Sequence, residues 1–204
     1  MPGETSWQEA QAYLSTFATK INTLESSGYG VHFDHIRDSD GHKIGATILV
    51  ENGIVERIRV VTYLSLDELL QTYGQPEEVW IFATAHIMMK PGGRFTFVVF
   101  YAHQGILAIY EGSTESTKIL DICPSRIEGN HFGLLWSPAL DLTFHDVGRE
   151  ALLFQSVPSD LPEPYYLLGE VANIDMKTFY EIYKDSSNAA RCFQMPDQTW
   201  PENK

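Results

Sequence analysis

The seven histidines of this chain are the first residues to test for a metal site. Their densest group is His32-Phe33-Asp34-His35, and His42 follows within a few residues. On a β-strand, His32 and Asp34 share one face, whereas His35 points to the opposite face. A zinc site needs three or four converging ligands. We therefore expect a solvated strand edge here, with neither a metal nor a cofactor.

Two other histidines, His86 and His103, fall on segments that the sequence pattern predicts to be neighbouring strands. Side chains on adjacent strands can meet across the sheet, so these two imidazoles can form a pair. We expect such a pair to face solvent. His86 and His103 are also candidate ligand-binding residues.

Nucleophilic catalysis finds little support in the sequence. It contains neither a G-x-S-x-G elbow nor a G-x-x-x-x-G-K phosphate loop. A cysteine hydrolase would need Cys123 or Cys192 next to His131 or His145, with an orienting carboxylate. With 27 acidic residues in the chain, a carboxylate near either histidine is no more than chance. The sequence predicts no catalytic residue, and a hydrolase with an unrecognised site is kept as an alternative.

Aromatic side chains are concentrated in the middle of the chain. The main group comprises Trp80, Phe82, Phe95, Phe97, Phe100 and Tyr101. We expect most of them to form the core beneath the helices, although any on an open sheet face would make an apolar binding surface. Tyr165-Tyr166 follows a Pro-Glu-Pro segment and predicts an exposed, stiff turn. Trp80, Tyr165 and Tyr166 are therefore weak candidates for binding.

The only two cysteines, Cys123 and Cys192, suit either a disulfide or two unrelated buried thiols. A bridge between them would close a loop of about 70 residues and stabilise the fold by about 4 kcal/mol in the chain-entropy model. It would tie the C-terminal tail to the body. It would also favour a location outside the cytosol.

Charge limits the possible partners. The 204 residues carry a net charge of −13, which argues against nucleic acid and against anionic membrane surfaces. An acidic surface suits a basic protein partner, or it serves only to keep the protein soluble. The N-terminal residues MPGETSW lack the apolar segment of a signal peptide, which predicts no leader in this chain.

The segment Leu64 to Val79, LSLDELLQTYGQPEEV, predicts one short helix with a marked start and end. Ser65 and Glu68 form an S-x-x-E capping box, and Gly74 with Pro76 ends the helix. Its apolar face has helical spacing and comprises Leu66, Leu69, Leu70 and Tyr73.

Two further helices are predicted by the same signals. Ser6 and Glu9 form a second capping box, and Asp175 caps a helix over MKTFYEIY. The apolar side of the first helix is predicted to comprise Trp7, Ala10, Leu14, Phe17 and Ile21. None of the three is long enough or apolar enough to span a membrane, so we expect no membrane insertion.

An internal repeat is suggested when the chain is shifted by about 52 residues. Residues 40–60 then align with 92–112, and Leu14, Phe17 and Ile21 align with Leu66, Leu69 and Tyr73. Each copy is predicted to be a helix followed by three strands. The predicted strands lie near Gly30–Arg37, Lys43–Glu51 and Ile54–Thr62, and near Val79–Met88, Arg94–Ala102 and Ile106–Glu111.

The predicted fold is α+β, an antiparallel sheet with helices packed on one face and built from tandem helix-βββ units. Residues 1–112 would hold two such units. Residues 113–204 would hold a degraded third unit, with strands at Gly133–Trp136 and near Ala151–Gln155, then the C-terminal helix and tail on the same sheet. Glu115–Asp121 and Ser156–Pro164 are predicted linkers.

The helix segment L-S-L-D-E-L-L-x-x-Y-G-x-P-x-x-V, followed by a three-stranded meander, resembles the repeat of the beta-lactamase-inhibitor-protein-like and small outer-membrane lipoprotein (SmpA/OmlA) group. The resemblance covers residues 5–112, and its specific part is Leu64 to Val79. It implies an exported, non-enzymatic bacterial binding or scaffold protein with tandem units and a concave sheet. It assigns no binding residue, and residues 113–204 lie outside it.

Three functions therefore follow from the sequence. The preferred one is an exported, non-enzymatic binding or scaffold domain that recognises a protein or envelope partner through its sheet or loops. The second is an acidic intracellular antidote that binds a basic toxin, because charge steers such partners together. The third is the hydrolase with an unrecognised site.

Overall fold

The structure of the protein is a computed structural model. It describes residues 1–24, 28–36, 43–62, 64–84, 93–114, 119–123, 127, 131–152, 165–185, 187 and 191–196. All structural statements below concern these residues.

The first half of the described chain contains two helices and seven strands. They are α1 (Trp7–Leu14), β1 (Lys20–Thr23), β2 (Gly28–Ile36), β3 (Lys43–Glu51), β4 (Ile54–Thr62), α2 (Leu66–Tyr73), β5 (Glu78–Thr84), β6 (Gly93–Tyr101) and β7 (Ile106–Thr114). The second half adds β8 (Ile119–Ile122), β9 (His131–Trp136), α3 (Phe144–Leu152), β10 (Tyr166–Leu167), α4 (Leu168–Val171), α5 (Met176–Tyr183) and β11 (Phe193–Pro196).

The fold class is α+β, with an antiparallel main sheet of nine strands. A second, two-stranded antiparallel sheet consists of β8 and β11. The α+β prediction with an antiparallel sheet is therefore confirmed.

The chain divides into two compact units. Unit 1 comprises residues 1–62, 102–107 and 132–151, and unit 2 comprises residues 63–101, 108–131 and 152–204. Each unit therefore takes residues from both sides of residue 112, the boundary expected from the sequence.

Unit 1 is built on the strand order β1-β2-β3-β4-β9. One buried cluster of unit 1 consists of Val31, Ile48 and Val55, one residue from each of β2, β3 and β4. The residues of α1 that pack against this cluster, Trp7, Ala10 and Leu14, are only partly buried. The Trp7 ring also stacks on Tyr29, with centroids 3.8 Å apart. The α1 helix thus packs over a small aliphatic cluster.

Turns in unit 1 follow local sequence rules. The β3–β4 hairpin turns at Asn52 and Gly53, which have φ of 50° and 78°, as the predicted Asn-Gly hairpin requires. At Gly105, φ is 64°, and an added Cβ would lie 2.2 Å from the carbonyl oxygen of Trp136. Only glycine fits this approach of two backbones.

Unit 2 has the strand order β7-β6-β5-β10. Every residue of β6 from Phe95 to Tyr101 is buried, with at most 4 % of its surface exposed. Because successive residues of a strand point to opposite faces, β6 is covered on both faces. Phe95, Phe97, Phe100 and Tyr101 therefore belong to the core, as expected for most of this aromatic group, and form no open apolar surface. The side chain of Phe82 lies outside the described residues.

The first helix is shorter than predicted, because α1 ends at Leu14. The hydroxyl of Ser15 donates to the Gln11 carbonyl and that of Thr16 to the Tyr13 carbonyl. These bonds satisfy carbonyls at the helix end. Phe17 then lies in a turn and Ile21 in β1, so the predicted alignment of these residues with α2 is wrong.

The predicted strand near Ala151–Gln155 is also wrong where it is described, because Ala151 and Leu152 end α3. The start of α3 carries a signal that the sequence analysis missed. The Asp146 carboxylate accepts hydrogen bonds from both the backbone N–H and the hydroxyl of Thr143, three residues earlier. This is the T-x-x-D variant of an N-terminal cap.

The predicted linker Glu115–Asp121 is not a linker throughout, because β8 begins at Ile119 and pairs with β11. The short strands β8, β10 and β11 are too brief to show periodicity, and their partners lie far away in the sequence. The second predicted linker, Ser156–Pro164, and residues 85–88 of the predicted strand after Val79 lie outside the described residues.

Candidate functional site

The helix α2 begins and ends where its sequence predicts. The Ser65 hydroxyl accepts a hydrogen bond from the Glu68 N–H at 3.4 Å, and a Glu68 carboxylate oxygen accepts from the Ser65 N–H at 2.9 Å. Gly74 follows the helix with φ of 83°. Leu66, Leu69 and Leu70 are buried, so α2 is firmly seated in unit 2.

Two buried tyrosines fasten the two ends of α2. The Tyr110 hydroxyl, from β7, donates to the carbonyls of Leu64 and Ser65 at 3.2 and 3.4 Å. The Tyr101 hydroxyl, from the end of β6, donates to the Gly74 carbonyl at 2.8 Å. Burial raises the pKa of both phenols, so both remain neutral hydrogen-bond donors at neutral pH.

The helix α5 lies against α2 within unit 2. The side-chain amide of Gln71 donates to the Lys184 carbonyl at the end of α5, at 2.7 Å. On the buried side of α5, the Phe179 ring lies 5.4 Å from the Phe97 ring of β6. Asp175 caps the helix by accepting from the Thr178 N–H, as predicted. This hydrogen bond lowers the pKa of the Asp175 carboxyl.

Tyr73, at the end of α2, lies beside the Tyr101 phenol. The Tyr73 ring centroid lies 5.9 Å from that of Tyr101. Burial is the main cause of the raised pKa of Tyr101, and Glu77, then Tyr180 and Tyr73, raise it further through charge. We name Tyr73, Glu77 and Tyr180 the acid–aromatic surface.

The acid–aromatic surface is accessible. The Tyr73 side chain is 37 % exposed, Glu77 is exposed and Tyr180 is half-buried. Tyr101 beneath them is 1 % exposed and forms a rigid floor. Exposed tyrosines supply contact area at a low cost in side-chain entropy, which makes them common in binding sites.

The segment that carries Tyr73 and Glu77 is acidic. Residues 60–89 contain no lysine or arginine. The acidic residues of the segment are Asp67, Glu68, Glu77 and Glu78. Carboxylates next to aromatic rings attract ammonium and guanidinium groups through charge and cation–π interactions. The acid–aromatic surface therefore has the chemistry to bind basic side chains.

The chain itself contains one such contact on α5. The Lys184 ammonium lies 4.7 Å from the centroid of the Tyr180 ring and 2.8 Å from a Glu181 carboxylate oxygen. That hydrogen bond raises the pKa of Lys184, because it favours the charged ammonium. An alkylammonium is thus accommodated between the Tyr180 ring and the Glu181 carboxylate.

The residues of the acid–aromatic surface were not identified from the sequence. Tyr73 was assigned to the apolar face of its helix, where it does lie against Tyr101, but its exposed edge was not anticipated. Glu77 was one of many acids. Tyr180 lies more than 100 residues from Tyr73 along the chain. The one available signal was the acidic pair Glu77-Glu78 directly after a helix with an aromatic last residue.

Trp80, Tyr165 and Tyr166, predicted as candidates from the sequence, lie together at the β5–β10 pair. Tyr166 pairs with Ile81, and Leu167 pairs with Trp80. Trp80 is half-buried, and its indole N–H donates to the Glu78 carboxylate at 2.7 Å. Tyr165 is only 7 % exposed, and burial raises its pKa. The predicted exposed turn at Tyr165-Tyr166 is therefore wrong, because this segment is an edge strand packed on unit 2.

The predicted pairing of His86 with His103 stays a prediction, although His103 itself does not lie on a strand. His103 is exposed on a short 3-10 helix, Ala102–Gln104, between β6 and β7. His86 lies outside the described residues. The four-residue connection at Ala102–Gly105 places His103 beyond the strand end, which the sequence pattern did not resolve.

Within the parts of the chain that the structure describes, no group of three histidine, cysteine or acidic side chains is placed to hold a metal ion. His32, Asp34 and His35 lie on β2, but their side chains are outside the described residues, as is His42 entirely. The prediction at this cluster remains untested.

Cys123 and Cys192 form a disulfide with a Cα–Cα distance of 4.2 Å. In this form neither sulfur can act as the nucleophile of a cysteine hydrolase. Beside His145, the Asp146 carboxylate caps α3 through Thr143, and this hydrogen bonding lowers its pKa. Asp146 is therefore engaged in capping its helix.

Comparisons with known proteins add no relative. No protein-family model matches the chain, and neither a curated protein nor a solved structure matches it significantly. No helix among the described residues combines the length and the apolar character needed to cross a membrane.

Proposed function

We propose that this protein is a non-enzymatic binding or scaffold module that recognises a basic protein segment through the acid–aromatic surface. The observation that carries the proposal is the exposed Tyr73 ring beside the buried Tyr101, in a segment (residues 60–89) that holds Glu77 and three other acids but no basic residue, together with the Lys184 ammonium on the Tyr180 ring of α5. A rigid tyrosine floor reduces the entropy cost of binding, and the carboxylates speed the approach of a cationic partner.

The proposal includes an exported location. The Cys123–Cys192 disulfide supports it, because such bonds persist mainly outside the reducing cytosol. The resemblance of Leu64 to Val79 to beta-lactamase-inhibitor-protein-like and SmpA/OmlA lipoprotein domains points in the same direction. We include this resemblance in the proposal.

The proposal also includes tandem helix-βββ units with helices packed on one face of the sheet. The strand spacing supports a repeat: β3 begins at Lys43 and β6 at Gly93, 50 residues later, while β4 begins at Ile54 and β7 at Ile106, 52 residues later. The two extra residues lie in the longer Ala102–Gly105 connection. The helix starts do not share this spacing, because Ser6 and Ser65 are 59 residues apart.

Binding to poly-L-lysine, measured by titration calorimetry at several salt concentrations, tests the binding surface. We expect Tyr73→Ala and Glu77→Gln each to weaken binding by about fivefold, the size of one exposed cation–π or charge contact. Matched controls in unit 1 are Tyr13→Ala, which removes a tyrosine that is 70 % exposed, and Glu51→Gln, which removes one exposed carboxylate.

The controls separate site binding from general attraction to an acidic protein. Glu51→Gln and Glu77→Gln change the net charge by the same amount. Equal weakening by both would mean diffuse electrostatics and would overturn the surface as a site. Weakening by the Tyr73 and Glu77 variants alone supports it.

A second candidate is the acidic intracellular antidote that binds a basic toxin, and the same acidic surface favours it. The redox state of the protein in its native compartment distinguishes the two. Protein isolated under thiol-trapping conditions with the disulfide intact supports export. Two alkylated cysteines, Cys123 and Cys192, would instead support the antidote.

A further inference from the structure

The disulfide continues the register of the two-stranded β8–β11 sheet. In that sheet Ile122 pairs with Phe193, and Ile119 pairs with Pro196. Cys123 and Cys192 are the next residues outward on each strand, so the bond joins the two strands at the end of their ladder. The C-terminal strand is thereby linked covalently to a segment 69 residues earlier.

The strand β11 packs against the buried side of α5. The Phe193 ring, 7 % exposed, lies 6.1 Å from Phe97 and 6.4 Å from Tyr183. The Tyr183 hydroxyl also donates to the Arg191 carbonyl at 3.1 Å. Phe193 thus completes the aromatic cluster that seats α5, the helix that carries Tyr180 of the acid–aromatic surface.

Without the disulfide, little holds β11 in place. A two-stranded sheet with four residues in each strand is marginal alone, and Pro196 has no N–H to donate. The other non-covalent anchors of β11 include the packing of Phe193 and the contact of the Arg191 carbonyl with Tyr183.

The two cysteines of the disulfide differ in their exposure to solvent. Cys192 is exposed, whereas Cys123 is 2 % exposed. The Cys192 side of the bond is therefore the more accessible side for a thiolate from solvent.

We propose that the Cys123–Cys192 disulfide is a redox-sensitive clasp, which a dithiol reductant opens to release β11 from α5 and weaken the acid–aromatic surface. The last step rests on the proposed binding function. The first step, release of β11, does not.

One thiolate of the reductant attacks the Cys192 sulfur, the Cys123–Cys192 bond breaks, and its electron pair leaves on the Cys123 sulfur, which takes up a proton. The second thiol of the reductant then displaces Cys192 as a thiol. The dithiol ends as a disulfide, and the protein gains two electrons and two protons.

Limited trypsin digestion of the whole protein tests release of β11. Arg191 is exposed directly before Cys192, so cleavage after Arg191 reports access to this segment. We expect reduction with dithiothreitol to raise the cleavage rate at Arg191 by about tenfold or more, because cleavage tracks the population of the open form. Cleavage at the exposed Lys20 of unit 1 is the internal control and is expected not to change.

Variants separate the clasp from the packing of Phe193. The double variant Cys123→Ala/Cys192→Ala is expected to behave as reduced wild type, with or without dithiothreitol. Phe193→Ala keeps the bond and is expected to become more sensitive at Arg191 while remaining responsive to reduction. Wild type in reductant needs no mutation, so a variant that fails to fold does not remove the test.

Two measurements distinguish failure of the clasp from failure of the proposed function. Unchanged cleavage at Arg191 after reduction overturns the clasp, whatever poly-L-lysine does. Increased cleavage with unchanged poly-L-lysine affinity overturns the coupling and leaves the binding function intact. Absence of site-specific poly-L-lysine binding to the oxidised protein overturns the proposed function, while the digestion result still decides whether β11 is released.

Discussion

The helices α1 and α2 begin with the same capping box but bury very different amounts of their surface. Ser6 and Glu9 exchange the same hydrogen bonds as Ser65 and Glu68. The α1 helix has no buried residue, whereas α2 has three buried leucines. A capping box therefore determines where a helix starts, while the apolar pattern and the neighbouring strands determine how firmly it is seated.

The two units show the same contrast in burial as these two helices. Unit 1 buries the aliphatic cluster Val31, Ile48 and Val55 and also Trp136 and Phe144, and three large apolar side chains stay exposed near α1 and β1: Tyr13, Phe17 and Leu24, at 70 %, 39 % and 42 %. Unit 2 has an aromatic core, buried tyrosine hydroxyls bonded to backbone carbonyls, and a disulfide. We expect unit 2 to be the more resistant to local opening at neutral pH.

The largest expected effect is loss of a buried leucine from α2. Leu70→Ala removes a fully buried side chain and should destabilise the protein by about 2–5 kcal/mol. Leu14→Ala in α1 removes a side chain that is only partly buried, and the cost should be about 1 kcal/mol. Urea unfolding followed by tryptophan fluorescence measures both. Equal losses of unfolding free energy in the two variants would contradict the expectation that the more buried leucine contributes more to stability.

The next effect is selective loss of unit 2 at high pH. Burial raises the pKa of Tyr183 from 10.0 to about 12 and also raises those of Tyr101, Tyr110 and Tyr165. All four residues belong to unit 2. A raised folded-state pKa means that stability is fully present below pH 10 and is lost as pH rises through the folded-state values.

Tyrosinate absorbance and amide hydrogen exchange measure this effect together. Between pH 10 and 12, the amides of β6 should lose protection before those of β3. Tyr110→Phe cannot ionise and should reduce the loss. Earlier exchange in β3 would show that the alkaline limit lies in unit 1.

Loss of either capping serine should have a smaller and equal effect. Ser6→Ala and Ser65→Ala each remove a side-chain acceptor for a backbone N–H at the first turn and should each cost about 1 kcal/mol. The two costs should agree, because capping is local and does not depend on how much the helix buries. Unfolding midpoints in urea measure them, and a difference larger than twofold would show that tertiary packing amplifies one cap.

The smallest expected effect is mild acid sensitivity shared by both units. Hydrogen bonding to Ser6 lowers the pKa of Glu9 in unit 1, and hydrogen bonding to Thr178 lowers that of Asp175 in unit 2. Their stabilisation is fully present above the unfolded-state values, 4.5 and 3.8, and is lost as pH falls through the lower folded-state values.

Glu9→Gln and Asp175→Asn should therefore each flatten the dependence of stability on pH below about pH 4. Urea midpoints at pH 6 and pH 3 measure this. A variant that remains as acid-sensitive as wild type would show that its carboxylate does not contribute.

Local chemistry made several parts of the fold predictable. The starts of α1, α2 and α5, the end of α2 at Gly74 and the Asn52-Gly53 hairpin each depend on residues within about four positions of one another. Such signals depend on residues that are close together in the sequence, so they can be recognised from the sequence alone. The α+β class was predicted from the helices and hairpins that these local signals mark.

Elements whose partners are distant were missed or misassigned. The strands β8 and β11 have four residues each, and β10 has two, which is too short for an alternating pattern. Phe17 and Ile21 fitted a helical period, but the hydroxyls of Ser15 and Thr16 terminate α1 and the chain continues as β1. Local hydrogen bonding outweighed the apolar pattern at this point.

The sequence by itself determined the acidic charge, the helix starts and the hairpin turn, because these depend on composition or on neighbouring residues. Only the tertiary structure decided that Tyr165 is buried beside β10, that Cys123 meets Cys192, and that α5 lies against α2 through the hydrogen bond from Gln71 to the Lys184 carbonyl. These contacts join residues up to about a hundred positions apart, and only packing of the whole unit brings such residues together.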